Sequence, residues 1–263
     1  MENKRPLIAL TAIFSLVLLY IPSVAVAVFS VNKARYGLAW RGFTLDWYMK
    51  LFENEYILNA ALNSLILAVI STLVATVLGT ALALGIDRSP WSGSFHRFFD
   101  LVINLPVVVP DIIMAVALTL AFNVLRMVSS AFDLGMTTLI IGHITFQISF
   151  VTLVVRSRLA SLNKETDEAA RDLFASSFYL FRRVTLPLIM PGVLAGAMLA
   201  FTLSLDDFII SFFTHGPDSV TLPIFIFASL KRGLTPEIHA LSTVMLLFTV
   251  VLVVLAERLA RRF

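Results

Sequence analysis

Residues Asp167–Gly192 read DEAARDLFASSFYLFRRVTLPLIMPG. Charge is concentrated here, in a chain that is otherwise mostly hydrocarbon. The stretch lies between two long apolar runs and enters the second of them through Pro187 and Pro191. Thr166 is placed to cap a helix whose first turn holds Asp167 and Glu168, acids that favour the positive end of the helix dipole. Ala169, Ala170 and Leu173 continue it, and Ser176-Ser177 predicts a break and a second helix start. Phe178, Phe181 and Val184 then recur at i, i+3, i+6 beside Arg182 and Arg183. Two readings fit: an amphipathic helix lying at a membrane surface, or a docking element offered to a soluble partner.

The surrounding chain decides the class. Its 263 residues are 59% hydrophobic and 14% charged, with a mean hydropathy of +0.91. A soluble domain has about 45–50% apolar and about 25% charged residues. The composition therefore predicts an all-α integral membrane protein. A span needs about 20 apolar residues, so the length allows about six. The apolar runs are unbroken, unlike the short alternating segments of a β-barrel. There is no cysteine, which excludes disulfides, thiolate metal sites and cysteine nucleophiles.

Taken in order, the spans are expected at 7–29, 56–86, 98–125, 135–155, 188–213 and 238–255. The first is longer than the h-region of a signal peptide. Between it and the second, residues 30–55 carry Tyr36, Trp40, Trp47 and Tyr48, with Thr44 as the cap of a short helix. The third span is interrupted at Pro106 and Pro110, which frees backbone groups that other helices or a polar cavity must satisfy. Residues 222–230 are apolar but too few to span. Six basic residues (Arg156, Arg158, Lys164, Arg171, Arg182 and Arg183) fall within 156–186. By the positive-inside rule this segment and both termini face the cytoplasm.

No phosphate-binding loop and no zinc-protease or nucleophile-elbow motif occurs. His96, His143, His215 and His239 are scattered and read as loop or packing residues. Asp111, Asp206 and Asp207 lie in or beside apolar runs, where an ionised group costs about 2.5–3.5 kcal/mol at mid-bilayer. Asp111 follows Pro110 and either caps the helix resuming at Ile112 or faces a polar path. Asp206 and Asp207 point about 100° apart on a helix. One is expected to meet a cation while the other pairs with an arginine or caps a break. Trp40 and its neighbours anchor the interface or add cation–π contact to such a path.

The residues Glu168-Ala169-Ala170, followed by Leu186-Pro187 and Pro191-Gly192, resemble the EAA motif of ABC-importer permeases. Other stretches are similar to the spermidine/putrescine branch, in particular its second (C-type) permease subunit. They are Arg35-Tyr36-Gly37-Leu38 with Trp40 and Trp47-Tyr48, Pro110-Asp111-Ile112, Gly142-His143-Ile144-Thr145-Phe146 and Ser204-Leu205-Asp206-Asp207. Thr221-Leu222-Pro223 and Pro236-Glu237-Ile238 complete the set. The resemblance implies a type I importer permease fold, with one transmembrane domain over 1–263 and a cytoplasmic coupling segment at 164–186. It implies that Asp167, Glu168, Ala169, Ala170, Leu173, Phe174, Phe178, Leu186 and Pro187 meet a separate ATPase. ATP and magnesium would then be bound by that partner, with no cofactor on this chain. The other implied partners are a second permease subunit, a second ATPase subunit and a periplasmic or lipid-anchored solute-binding protein, at a bacterial inner membrane. Asp111, Asp206, Asp207 and Trp40 would line a path for a cationic solute. Phe174 stands where the motif has glycine; a left-handed backbone there strains a phenylalanine.

Three rival functions remain at this point. A sister permease would carry another small organic solute, such as an amino acid derivative. A membrane-embedded enzyme would use Asp206 and Asp207 as an acid–base pair. A stand-alone channel or carrier would work without an ATPase.

Overall fold

The computed structural model describes residues 5–34, 39–88, 91–162, 172, 174–233 and 236–260. The described residues are helical, with one isolated bridge between Asn32 and Phe43. Helices α1 (Arg5–Phe29), α2 (Asp46–Glu53), α3 (Glu55–Arg88), α4 (Gly93–Val108), α5 (Asp111–Leu125) and α6 (Met136–Ala160) come first. They are followed by α7 (Ser177–Asp206), α8 (Ile209–Thr214), α9 (Leu222–Arg232) and α10 (Pro236–Ala260). Five helices are long and apolar enough to cross a membrane, and α4 with α5 makes a sixth span if that bent pair counts as one. Residues Thr166–Ala170 and Leu173, expected to open the coupling segment, lie outside the described residues, as do Arg35–Leu38.

The chain forms two compact units, one of residues 1–58 with 225–253 and the other of residues 59–224 with 254–263. In the first, Asn32 organises the connection after α1. Its side-chain oxygen accepts from the amides of Ala34 (3.2 Å) and Arg41 (2.9 Å), and its amide donates to the Ala39 carbonyl (2.9 Å). Trp47 Nε1 donates to the Asn32 carbonyl at 2.8 Å. Thr44 does not cap α2 as expected. Leu45 holds the boundary position, and the Thr44 hydroxyl accepts from the Asp46 amide at 3.2 Å, a turn one residue earlier.

The second unit is built on small residues. At Gly79 on α3 an added Cβ would lie 2.8 Å from Val151 Cβ on α6, and at Gly192 on α7 one would lie 2.6 Å from Arg158 Cβ on α6. Helices in lipid gain by such close approach, because burial of apolar surface does not drive them together. Ala83, Val151, Val155, Leu159, Ile189 and Ala200 fill the seam between α3, α6 and α7. Two buried hydrogen bonds cross it, from Thr152 to the Gly79 carbonyl (3.2 Å) and from Gln147 to the Ala200 carbonyl (3.0 Å).

Two helix breaks shape this unit. At Val109-Pro110 the axis turns by 109° between α4 and α5, since Pro110 has no amide to continue the ladder and disfavours helix in the residue before it. Pro106 remains inside α4. The second break corrects the sequence expectation of one span over 188–213. That helix starts earlier, at Ser177, whose predecessor Ser176 caps it through the Tyr179 amide (3.3 Å), and it stops at Asp206. A π-helical turn at Phe181–Thr185 lies at its start. After Asp207, α8 runs separately. It rests on α5 and α6 through Ala115, Phe146 and Ile210.

Phe174 has φ +58° and is 98% exposed. The left-handed conformation is thus adopted with a phenylalanine in the glycine position. Gly216 is the opposite case: its backbone is tight against the Leu134 carbonyl, and a Cβ there would overlap it. Gly216→Ala is expected to cost about 1–3 kcal/mol through forced backbone movement. Phe174→Gly is expected to be neutral or to stabilise by up to about 1 kcal/mol. The relief of left-handed strain exceeds the entropy that glycine adds to the unfolded chain. Thermal unfolding of the two variants in detergent checks both signs.

Candidate functional site

The break after Asp206 holds the densest polar cluster among the described residues of the second unit. His143 on α6 is fully buried. Its Nδ1 pairs with Ser204 Oγ on α7 at 2.8 Å, and its Nε2 pairs with Ser211 Oγ on α8 at 3.0 Å. Asp207 Oδ2 lies 3.4 Å from the same Nε2. Ser204 Oγ also meets Ser71 Oγ on α3 at 3.4 Å. The imidazole on α6 thus bonds α7 and α8, and α3 joins the network through Ser204. A buried histidine with both ring nitrogens engaged is fixed in orientation, which suits it to hold other groups in place.

Asp207 closes the break. Its carboxylate accepts from the amides of Ile210 (3.3 Å) and Ser211 (2.8 Å), the first free donors of α8. An ionised oxygen facing helix amides makes a short, charge-assisted bond and complements the helix dipole. Its side chain is 11% exposed. Asp206, one residue earlier, is exposed, and among the described residues no basic group lies within ion-pair distance of it. The two acids are therefore not equivalent: Asp207 is occupied structurally, while Asp206 is open to a ligand.

The other residues expected at a path are not among the groups bonded in this cluster. Asp111 is the first residue of α5, exposed, with Pro110 at the cap position and no side-chain cap bond. It lies eight residues before Thr119, about 12 Å along the axis, and Thr119 is where α5 bonds α8 through the Phe213 carbonyl (3.1 Å). Trp40 belongs to the first unit and is 55% exposed. Of the coupling residues, Phe174 and Phe178 are exposed, and Leu186-Pro187 opens the regular α-helical part of α7 after the π turn.

Sequence reasoning missed His143, Ser204 and Ser211. A signal existed for the two serines, since Ser204, Asp207 and Ser211 follow one another at i, i+3, i+7 in sequence, although the structure breaks the helix between them. It also missed a second cluster at the other end of the unit. There Arg156 Nε meets Asp87 Oδ1 at 3.0 Å and Arg156 Nη1 meets Asp100 Oδ1 at 2.6 Å.

Comparison with known proteins agrees with this architecture. Residues 75–263 match the family described as binding-protein-dependent transport system inner membrane component. The spermidine/putrescine transport system permease protein PotC of Escherichia coli K12 is 39% identical over 96% of this chain and 92% of its own length. PotC of Haemophilus influenzae is 37% identical over 93% and 92%. The putrescine transport system permease protein PotI of E. coli K12 is 36% identical over 87% and 81%. Among solved structures, a bacterial ABC transporter that imports the acidic polysaccharide alginate superposes with a TM-score of 0.78 at 19% identity, covering 100% of this chain and 97% of that one. A methionine ABC transporter gives 0.63 at 17% identity, over 84% and 99%. The fold, the length and the sequence agree, and the chain belongs to the binding-protein-dependent inner-membrane permeases of ABC importers.

Proposed function

We propose that the solute moved by this permease is a small polyamine of the spermidine/putrescine class. The observation that carries the reading is the run of polyamine permeases at 36–39% identity over 87–96% of the chain. The chain is a subunit of an ATP-driven importer in the inner membrane and not itself an enzyme. A single permease domain spans 1–263 in this reading, with both termini and segment 164–186 in the cytoplasm. Asp167, Glu168, Ala169, Ala170, Leu173, Phe174, Phe178, Leu186 and Pro187 meet an ATPase subunit there, and that partner holds ATP and magnesium. A second permease subunit, a second ATPase and a solute-binding protein complete the assembly.

Asp206 supports a cationic solute on physical grounds. It is an exposed carboxylate at a helix break, one residue from a second carboxylate and without a basic partner among the described residues. A diamine or triamine offers the compensating charge. The same fold occurs in an importer of an acidic polysaccharide, so the fold does not choose the sign of the cargo and local charge must. One weaker relative, the putative 2-aminoethylphosphonate permease PhnV of Salmonella typhimurium, is 25% identical over 95% of this chain. That zwitterion is the competing cargo to test.

In proteoliposomes holding the whole importer, Asp206→Asn is expected to raise the KM for putrescine about tenfold, or ~1.4 kcal/mol of lost attraction. ATP turnover is expected to stay near wild type. Putrescine uptake that survives neutralisation of Asp111, Asp206 and Asp207 together would refute the role of these acids in the path, and uptake that 2-aminoethylphosphonate outcompetes would refute the polyamine reading. The neighbouring cluster behaves differently. His143→Ala and Asp207→Asn each strand buried partners and are expected to lower stability by about 2–3 kcal/mol, seen as earlier unfolding in detergent, while Asp206→Asn leaves the unfolding curve unchanged.

A further inference from the structure

The ion cluster around Arg156 has no role in the solute site, yet it sits near the end of α6, the helix from which the segment proposed to meet the ATPase departs. That segment leaves α6 after Ala160 and returns at Ser177 in α7. Its two flanks are pinned together. Arg158 Nε donates to the Leu188 carbonyl at 3.0 Å. Gly192 admits the Arg158 stem at a distance no other residue allows, and Leu159 and Ile189 share one core. Any force on the segment therefore moves the ends of α6 and α7 as a pair.

Arg156 lies two residues before Arg158, about 200° round the helix, so it faces away from α7. Its guanidinium spans Asp87, next to last in α3, and Asp100, in the second turn of α4. Helix α4 is the first half of the span that bends by 109°, and α5, the second half, packs on α8. Asp207 caps α8, and Asp206 adjoins it. A contiguous chain of bonded and packed groups thus runs from the segment, through Arg156, to the helix break that presents Asp206.

These ion pairs are a quarter to half exposed, and pairs so exposed add little to stability. A role in holding the fold together is a poor account of three charges that join three different helices. A role in fixing which helices move together is a better one. Only arginine suits it: the planar fork gives each carboxylate its own N–H, whereas lysine offers a single point charge.

We propose that Arg156 is a positioning residue for energy coupling, tying the base of α6 and α7 to α3 and α4 so that movement of the ATPase-docking segment reaches the broken span. The proposal rests on the reading of 164–186 as that segment. The test is the number of ATP molecules hydrolysed per putrescine imported by the full importer in proteoliposomes. In Arg156→Met the ratio is expected to rise about fivefold or more, the scale of a modest coupling free energy, while hydrolysis continues. Arg156→Lys is expected to lie between, and Arg156→Met combined with Asp100→Asn to be no worse than Arg156→Met alone. An unchanged ratio in an assembled Arg156→Met complex overturns the proposal. Should that variant fail to assemble, Asp87→Asn and Asp100→Asn take its place, and unchanged ratios in both overturn it. A wild-type importer that shows no ATP-dependent putrescine uptake refutes the function reading instead, which keeps the two failures apart.

Discussion

A helix that starts afresh inside a bundle leaves amide N–H groups without ladder partners, and at α8 Asp207 is the group that meets them. Each such donor left bare in lipid costs several kcal/mol. The carboxylate takes two of them from α8 and is steadied by His143, whose other nitrogen is held by Ser204. Remove that arrangement and α7 has no reason to end at Asp206. The break exists because one side chain replaces the ladder bonds it interrupts. Everything near the proposed solute site, including the exposure of Asp206, follows from that substitution.

The opposite end of the unit solves a different problem. Here the helices end where charge is tolerated, and arginines do the joining. Arg158 binds backbone on α7, and Arg156 binds carboxylates on α3 and α4. Between the two ends the contacts are small residues against aliphatic ones, as at Gly79 and Gly196 on Val151. Such packing resists separation yet tolerates sliding less than a flat apolar face does, because each glycine admits one partner in one register. A bundle of this kind transmits displacement along its helices.

Apolar runs separated by charge made the spans legible, since the bilayer sets their length. Pro110 made the bend between α4 and α5 legible, because proline removes a ladder bond wherever it falls. The break at Asp206 was legible only as one alternative, an aspartate that caps a break, because apolar residues continue to Phe213 and hydropathy does not register a cap. His143 was not legible: a lone histidine in an apolar run has no visible partner until the helices are brought together. Arg156 was read for its charge alone, as a sign of orientation, although its neighbours Asp87 and Asp100 lie in two other segments. Phe174 is the reverse case. Comparison with the motif flagged it as a strained position, and its φ of +58° with a side chain 98% exposed is the conformation that glycine would have taken without cost.

In the proposed reading the adjacent aspartates divide two requirements that one carboxylate could not meet. A group that caps a helix must stay put and stay ionised, while a group that receives a passing cation must bind weakly enough to release it. Asp207, bonded to two amides and beside His143, has its lone pairs largely committed. Asp206, at the end of α7 and exposed, has not. The fixed negative charge of Asp207 deepens the local potential felt at Asp206 without offering a second ligand. That favours a solute with separated positive charges over a compact monovalent ion, because each amine can meet one carboxylate at a time as it passes. In the proposed reading, a fold that also occurs in an importer of an acidic polysaccharide is turned toward polyamines by side chains at one helix break.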